Sequence, residues 1–307
     1  MKRKDILGIK DLSKSEVNEI LSTANAMRET IDRNERSTVL RGRTVATLFY
    51  ENSTRTRNSF ESAAKNLGAT TMSISVAASS VQKGESLVDT GKTLDALKTD
   101  VIIIRHSVAG SPRLLAENVK ASVINAGDGM NEHPSQAFLD ALTAQRKFGS
   151  LAGKKIVIVG DVKHSRVARS DVLLFGMLGA NVTVCAPYTL LPQGIDSMGC
   201  DVDSDFDRAI EGADIVLPLR LQLERMDQAF FSSREEYSYY YGVTQKRLAA
   251  CADDYIVMHP GPINRDAEIT GEVADGDHSV IEEQVTNGVA VRMAMLQLLT
   301  ANVGGEL

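Results

Sequence analysis

Cysteine is scarce here. Cys185, Cys200 and Cys251 are odd in number, far apart, and form no CxxC pair. Neither a disulfide framework nor a zinc site is indicated. Long apolar runs are missing too. None approaches the ~20 residues that a membrane-spanning helix needs, and no apolar segment follows the basic start Met1-Lys2-Arg3-Lys4. A signal peptide is therefore not expected, and the reading is a cytoplasmic protein. The net charge is −6 and no basic stripe compensates for it, which argues against nucleic acid as the main partner. An anionic substrate would have to be held by a local cluster of cations and not by the overall field. Internal repeats and low-complexity segments are absent as well.

What is present is an ordinary globular composition, 43% apolar and 24% charged over 307 residues, enough for about two domains. The chain is organised around Phe49-Tyr50-Glu51-Asn52-Ser53-Thr54-Arg55-Thr56-Arg57. An apolar strand, Val45–Phe49, runs into it. Phe60, Ala63, Ala64 and Leu67 follow at i, i+3, i+4, i+7, one face of a helix that Gly68 would close. Asn52 or Ser53 then sits at the helix N-cap, with Thr54, Arg55 and Thr56 in the first turn. Free backbone N–H groups, the positive dipole end, hydroxyls and a guanidinium converge there, as an anion site requires. An ordinary Ser/Thr cap with solvated arginines would look the same in isolation.

Further strands are expected near 71–76, 101–104, 121–125, 156–159, 181–185, 214–218 and 255–258. Helices are expected between them: one opened by the Ser13–Glu16 capping box, others near 86–97, 111–117, 133–148, 166–178, 190–198, 206–211 and 237–241, and a long one over 281–301. Strands alternating with helices imply an α/β class protein with two doubly wound parallel-sheet domains joined by helices. In such sheets ligands bind beyond the carboxyl ends of the strands. Arg55, Lys83, Arg105, His133, Arg166, Arg220 and Arg265 each fall at such an end. One would read as a solvated charge; seven in register with the strand ends point to anionic ligands bound between the domains.

These stretches share a family likeness. Ser53-Thr54-Arg55-Thr56-Arg57 resembles the carbamoyl-phosphate motif of the transcarbamoylases. Val81–Ser86, Arg105-His106, Asn125–Gly129 through His133-Pro134-Ser135-Gln136, and His259-Pro260-Gly261-Pro262 match in order over essentially the whole chain. Within the family the likeness is to the catalytic chains specific for aspartate. It implies transfer of the carbamoyl group of carbamoyl phosphate to L-aspartate, a step of pyrimidine biosynthesis, without a cofactor or metal. It also implies a carbamoyl-phosphate domain, placed at 1–134 plus the C-terminal helix 284–307, and an aspartate domain at 135–283. Family members are homotrimers with shared active sites, so Ser79 (or Ser80) and Lys83 of the 77–85 loop would act in trans. Regulatory chains or a partner enzyme remain open.

By the same resemblance, Ser53, Thr54, Arg55, Thr56 and Arg105 would hold the phosphate. Thr56, Arg105 and His133 would face the carbamoyl oxygen, with His133 a neutral donor. Gln136 and the turn Pro260-Gly261-Pro262 would hold the carbamoyl NH2 through acceptors. Arg166 and Arg220, helped by Gln222 and Lys83, would take the two carboxylates of aspartate, for which guanidinium forks are suited.

Three other readings compete with this one. Ser197-Met198-Gly199 superficially resembles the ornithine-binding triplet of ornithine carbamoyltransferases. It precedes the strand over 213–216 where that family has it after, and no cysteine stands in the His259–Pro262 turn. A nicotinamide-dependent dehydrogenase is suggested by Ile156–Gly160, but Asp161, Val162 and Lys163 replace the glycines that a dinucleotide turn needs. A non-catalytic relative of the family would have lost motif positions, and none is lost.

Overall fold

The structure is a computed structural model that describes residues 1–75, 84–222 and 230–301. The chain divides into two units: residues 1–142 with 285–307, and residues 143–284.

The first unit opens with helix α1 (Lys14–Asp32), capped reciprocally by Ser13 and Glu16. It continues through β1 (Thr44–Phe49), α2 (Thr54–Asn66), β2 (Thr70–Ser75), α3 (Leu87–Ala96), β3 (Val101–His106), α4 (Ser111–Asn118), β4 (Ser122–Asp128) and α5 (Pro134–Phe148). Its four strands lie in the order β2-β1-β3-β4, all parallel. Val101–Ile104 and Val45–Phe49 are apolar throughout apart from Thr47, and buried. Such runs are what a parallel sheet covered on both faces demands. Ala46, Leu48, Ile102 and Ile104 meet Leu94 of α3 and Leu115 of α4 in one continuous core.

The second unit carries β5 (Lys155–Val159), α6 (Arg166–Met177), β6 (Asn181–Cys185), β7 (Asp201–Asp203), α7 (Phe206–Ala209), β8 (Ile215–Pro218), α8 (Arg234–Tyr241), α9 (Gln245–Leu248), β9 (Ile256–Val257) and α10 (Gly271–Ala274). Its sheet is also parallel, in the order β7-β6-β5-β8-β9. Val157, Val159, Val216 and Val257 pack with Phe206, Ile210 and Ile269 on one face. Helix α11 (Ile281–Thr300) begins in this unit and continues into the first; α5 crosses the other boundary.

Some elements differ from the sequence expectation. The helix expected near 190–198 is two short 3-10 turns, Tyr188–Leu190 and Ile195–Met198, separated by Pro192 and by Gly194 at φ +73°. The helix near 206–211 is one turn long. The aromatic helix starts earlier, at Arg234, because Ser233 accepts from Glu236 N at 3.1 Å. Strand β7 was not foreseen: three residues with one apolar side chain leave no period to detect. Much of the loop expected at 77–85, including Ser79, Ser80 and Lys83, lies outside the described residues.

Candidate active site

In the first unit the central strands aim adjacent loops at one edge. β1 and β3 pair in register with Phe49 opposite Arg105, and β4 lies next to β3. The loops after Phe49, His106 and Asp128 are therefore neighbours at the carboxyl ends of the strands. Ser53 is the N-cap residue of α2, with extended backbone, and its hydroxyl makes no capping bond. Thr54 and Arg55 are exposed, whereas Thr56 is buried. Arg57 turns back, its guanidinium 5.2 Å from the centre of the Phe49 ring. This leaves Arg55 as the exposed guanidinium of the first turn, in the region where the free N–H groups of α2 face outward.

Arg105 extends toward the same edge. Its Nε is 3.4 Å from Glu51 Oε2, and its Nη1 donates to Ala126 O at 3.4 Å. His106, beside it, packs against Tyr50 with ring centres 4.5 Å apart and planes tilted by 51°. Its Nδ1 accepts from Val108 N at 3.0 Å, and burial pulls its pKa below the usual value. The ring is thus a neutral acceptor that shapes the loop.

The loop after β4 is organised by a buried carboxylate. Asp128 accepts from Gly110 N (2.7 Å), Asn125 Nδ2 (2.8 Å), Asn131 Nδ2 (3.0 Å) and Glu132 N (3.1 Å). Gly129, at φ +52°, runs so close to Ser107 O that a Cβ would lie 2.9 Å away. These bonds deliver His133, 4% exposed, to the start of α5, where its carbonyl accepts from Gln136 N and Ala137 N. Gln136, 8% exposed, sends its amide nitrogen to both oxygens of Asp140, at 3.1 and 3.2 Å. A carboxylate can only accept, so the amide oxygen of Gln136 faces the other way.

In the second unit β5, β8 and β9 are adjacent, and so are the loops that follow them. Gly160 is at φ +127° and passes within 3.0 Å, measured from a built Cβ, of Leu219 O. Only glycine allows that approach. Asp161, fully buried, then accepts from His164 Nδ1 at 2.8 Å on one oxygen and from Gln222 N at 3.3 Å on the other. Gln222 returns its amide nitrogen to His164 O at 3.0 Å. Ser165 caps α6 by accepting from Ala168 N at 3.1 Å, and Arg166 is the first residue of that helix, only 5% exposed. A cation at a helix N-terminus is mildly disfavoured by the dipole, and a buried one more so, which marks the position as built for a purpose. Arg220 follows β8 and is half-buried.

The turn after β9 is held by His259. Its N–H donates to Gln284 Oε1 at 2.8 Å, its Nδ1 accepts from Gly261 N at 2.8 Å, and its Nε2 is 3.3 Å from Glu268 Oε1. Pro260 and Gly261 are half-buried, Pro262 is exposed, and the Gly261–Pro262 peptide is cis. Arg265 does not join the strand-end cations. Asp275 takes its guanidinium in two bonds of 2.7 and 2.8 Å on the surface. Ser197 is spent within its own turn, donating to Gly194 O at 2.7 Å.

The comparisons with known proteins give the family. The family model described as aspartate/ornithine carbamoyltransferase, carbamoyl-P binding domain, matches residues 4–146. Its companion, the Asp/Orn binding domain, matches residues 152–299. The chain belongs to the aspartate/ornithine carbamoyltransferase family. Among curated members, the aspartate carbamoyltransferase catalytic subunit of Ruminiclostridium cellulolyticum is 53% identical over 98% of this chain and 96% of its own. That of Desulforamulus reducens is 54% identical over 99% and 97%. Among solved structures, the aspartate transcarbamoylase of Trypanosoma cruzi in complex with carbamoyl phosphate and aspartate superposes with a TM-score of 0.87. It is 30% identical and covers 96% of each chain. The ornithine carbamoyltransferase of Pyrococcus furiosus reaches 0.86 at 28% identity, covering 97% of each chain. The fold is thus common to both branches of the family and does not by itself choose between them.

Sequence reasoning did not find the buried acceptors Asp128, Asp140, Asp161, Glu268 and Gln284 that hold the carbamoyltransferase loops in shape. Each resembles a surface polar residue when read in one dimension. Among the described residues no group of three or more His, Cys, Asp or Glu could hold a metal ion, and no helix is long and apolar enough to cross a membrane.

Proposed function

We propose that this chain transfers the carbamoyl group of carbamoyl phosphate to the amine of L-aspartate, giving N-carbamoyl-L-aspartate and phosphate. The observation that carries the choice of aspartate is Arg166, a buried guanidinium at the start of α6 beside the Asp161–His164–Gln222 bonds. A fork of donors suits a carboxylate and would repel an ammonium. The curated relatives at 53–54% identity carry the same activity in their names.

In this reading the first unit binds carbamoyl phosphate. Ser53, Thr54, Arg55 and Thr56 meet the phosphate with the N-terminal N–H groups of α2, and Arg105 assists. The aspartate amine attacks the carbamoyl carbon, and negative charge develops on the carbamoyl oxygen. Thr56, Arg105 and His133 donate to that oxygen; losing one such donor costs about 3–4 kcal/mol. Gln136 offers its amide oxygen to the carbamoyl NH2, and the carbonyls of Pro260 and Gly261 offer two more acceptors. As the C–N bond forms, the C–O bond to phosphate breaks, and the departing phosphate takes the proton that the amine sheds. No dedicated general base is needed. Arg166 and Arg220, with Gln222, hold the aspartate carboxylates.

We further propose that the working form is a homotrimer in which Ser79 and Lys83 reach the neighbouring chain's site. A colorimetric ureido assay with carbamoyl phosphate and either amino acid tests the whole reading. Product is expected with aspartate; product with ornithine alone would overturn it.

A further inference from the structure

Helix α11 carries one buried cation, Arg292, 3% exposed and remote in sequence from every motif above. Its Nη1 donates to Ser59 Oγ at 3.0 Å, and its Nη2 lies 3.5 Å from Ser135 Oγ. The guanidinium carbon is 5.0 Å from the centre of the Phe60 ring. Ser59 stands one turn beyond Arg55 on α2, and Ser135 lies between Pro134 and Gln136 in the first turn of α5. One side chain therefore spans the two helices whose N-termini present the phosphate loop and the His133–Gln136 segment.

Burial opposes the charge of Arg292 and pulls its pKa down to about 10, while the Asp140 carboxylate acts in the opposite direction. Asp140 is itself fully buried, and it is the carboxylate that both holds Gln136 and sets the sense of its amide. The space for the fork is kept open by Gly288, one turn earlier on α11. A Cβ there would lie 2.5 Å from Arg292 Nη1 and 3.1 Å from Leu139 Cδ2.

We propose that Arg292 is a positioning residue for carbamoyl-phosphate binding: it braces α2 through Ser59 and α5 through Ser135, and supplies the charge opposite the Asp140 carboxylate that keeps the Gln136 amide oxygen facing outward. The inference rests on the carbamoyl-transfer reading and adds a residue to it that touches no substrate. Arg292 acts through two routes, Gln136 with the first turn of α5 and the α2 brace at Ser59. Its loss should therefore be felt in carbamoyl-phosphate affinity, and felt less once Gln136 is already gone.

The test is a double-mutant cycle on the full-length protein with Arg292→Gln, Gln136→Ala and the pair. Carbamoyl-phosphate binding is measured by calorimetry, and the thermal midpoint by differential scanning. Arg292→Gln should weaken binding about tenfold or more, and by a distinctly smaller factor, the share carried by the α2 brace, in the Gln136→Ala background, since residues in one network couple. Arg292→Lys, which keeps the charge but loses the fork, should recover part of the affinity. A purely structural role predicts a lowered midpoint with equal losses in both backgrounds, and that result would overturn the proposal. So would Arg292→Gln binding as tightly as the wild type. If Arg292→Gln does not fold, the same cycle is read on Arg292→Lys against the wild type, with the same two overturning outcomes. A wild-type chain that forms no ureido product would instead overturn the functional reading and this inference with it.

Discussion

His164 Nδ1 stands 2.8 Å from Asp161 Oδ1, and Gln222 N reaches the other oxygen of the same carboxylate at 3.3 Å. One buried acid thus ties the loop after β5 to the loop after β8, the two that carry Arg166 and Arg220. Removing it would leave donors unpaired in a buried place, at ~1–3 kcal/mol. Asp161→Ala should raise KM for aspartate on the order of tenfold, about 1.4 kcal/mol of binding, with carbamoyl-phosphate affinity unchanged. Steady-state kinetics with each substrate varied in turn would check it. A change confined to carbamoyl phosphate would refute the assignment of this unit to aspartate.

The exposed Arg55 and half-buried Arg220 should separate the two substrates. Arg55→Ala is expected to abolish carbamoyl-phosphate binding in calorimetry. Arg220→Ala should leave that binding in place and mainly weaken aspartate. Unchanged carbamoyl-phosphate affinity in Arg55→Ala would show that the 53–57 loop has been misassigned.

Acid stability should depend on Glu16. Hydrogen bonds from Arg3, then from the N–H and hydroxyl of Ser13, hold its carboxyl down to about 2, against an ordinary value of 4.5. A carboxyl whose folded pKa is depressed stabilises the fold above its unfolded pKa. That contribution is lost as pH falls from about 4.5 through about 2. Glu16→Gln should therefore lower stability at pH 7, by roughly 1 kcal/mol for a lost cap and ion pair, and should flatten the decline between about pH 4.5 and pH 2. Urea unfolding at pH 7 and at pH 2 reads the difference. Equal losses at pH 7 and pH 2 would count against the linkage.

Backbone crowding at Gly160 gives a sharper stability test. Alanine there would place a Cβ 2.9 Å from Tyr237 Oη and 3.0 Å from Leu219 O, on a backbone at φ +127°. Overpacking and an unfavourable φ together cost on the order of 1–3 kcal/mol. Gly160→Ala should lower the thermal midpoint and displace the Asp161 loop, raising KM for aspartate. Gly42→Ala meets no neighbour within 4 Å but has a similarly unfavourable φ of +84°, so it isolates the backbone cost. Equal losses in the two variants would exclude the crowding argument.

Shared sites can be tested by complementation. Chains carrying Lys83→Ala and chains carrying Arg105→Ala should each be inactive alone. If Lys83 acts in the neighbouring chain's site, a mixed assembly contains some sites with both defects and some with neither. Mixing should therefore recover a fraction of the activity. No recovery in verified mixed assemblies would argue that each chain works alone.

Much of this protein was determined by local sequence. The apolar runs Val45–Phe49 and Val101–Ile104 are buried strands, Ser13 with Glu16 starts a helix, and Ser53 through Thr56 open α2 after β1. Strand, turn and cap chemistry act over a few neighbouring residues, so the order of motifs and the ends of the strands are written in one dimension. The tertiary structure decided which polar groups serve the site from beneath. Nothing in the local pattern around Asp128, Asp140, Asp161 and Arg292 marks them as the buried supports of the loops; their roles come from partners up to 233 residues away, as with Arg292 and Ser59. It also decided which strand-end cations stay at the edge. Arg57 is drawn onto Phe49 and Arg265 is taken by Asp275, because each finds a partner that only folding brings within reach. For the buried Arg292 and Asp140 such partners are obligatory, since a charge removed from water must be compensated nearby. Which compensations occur is a property of packing, and no window of sequence contains it.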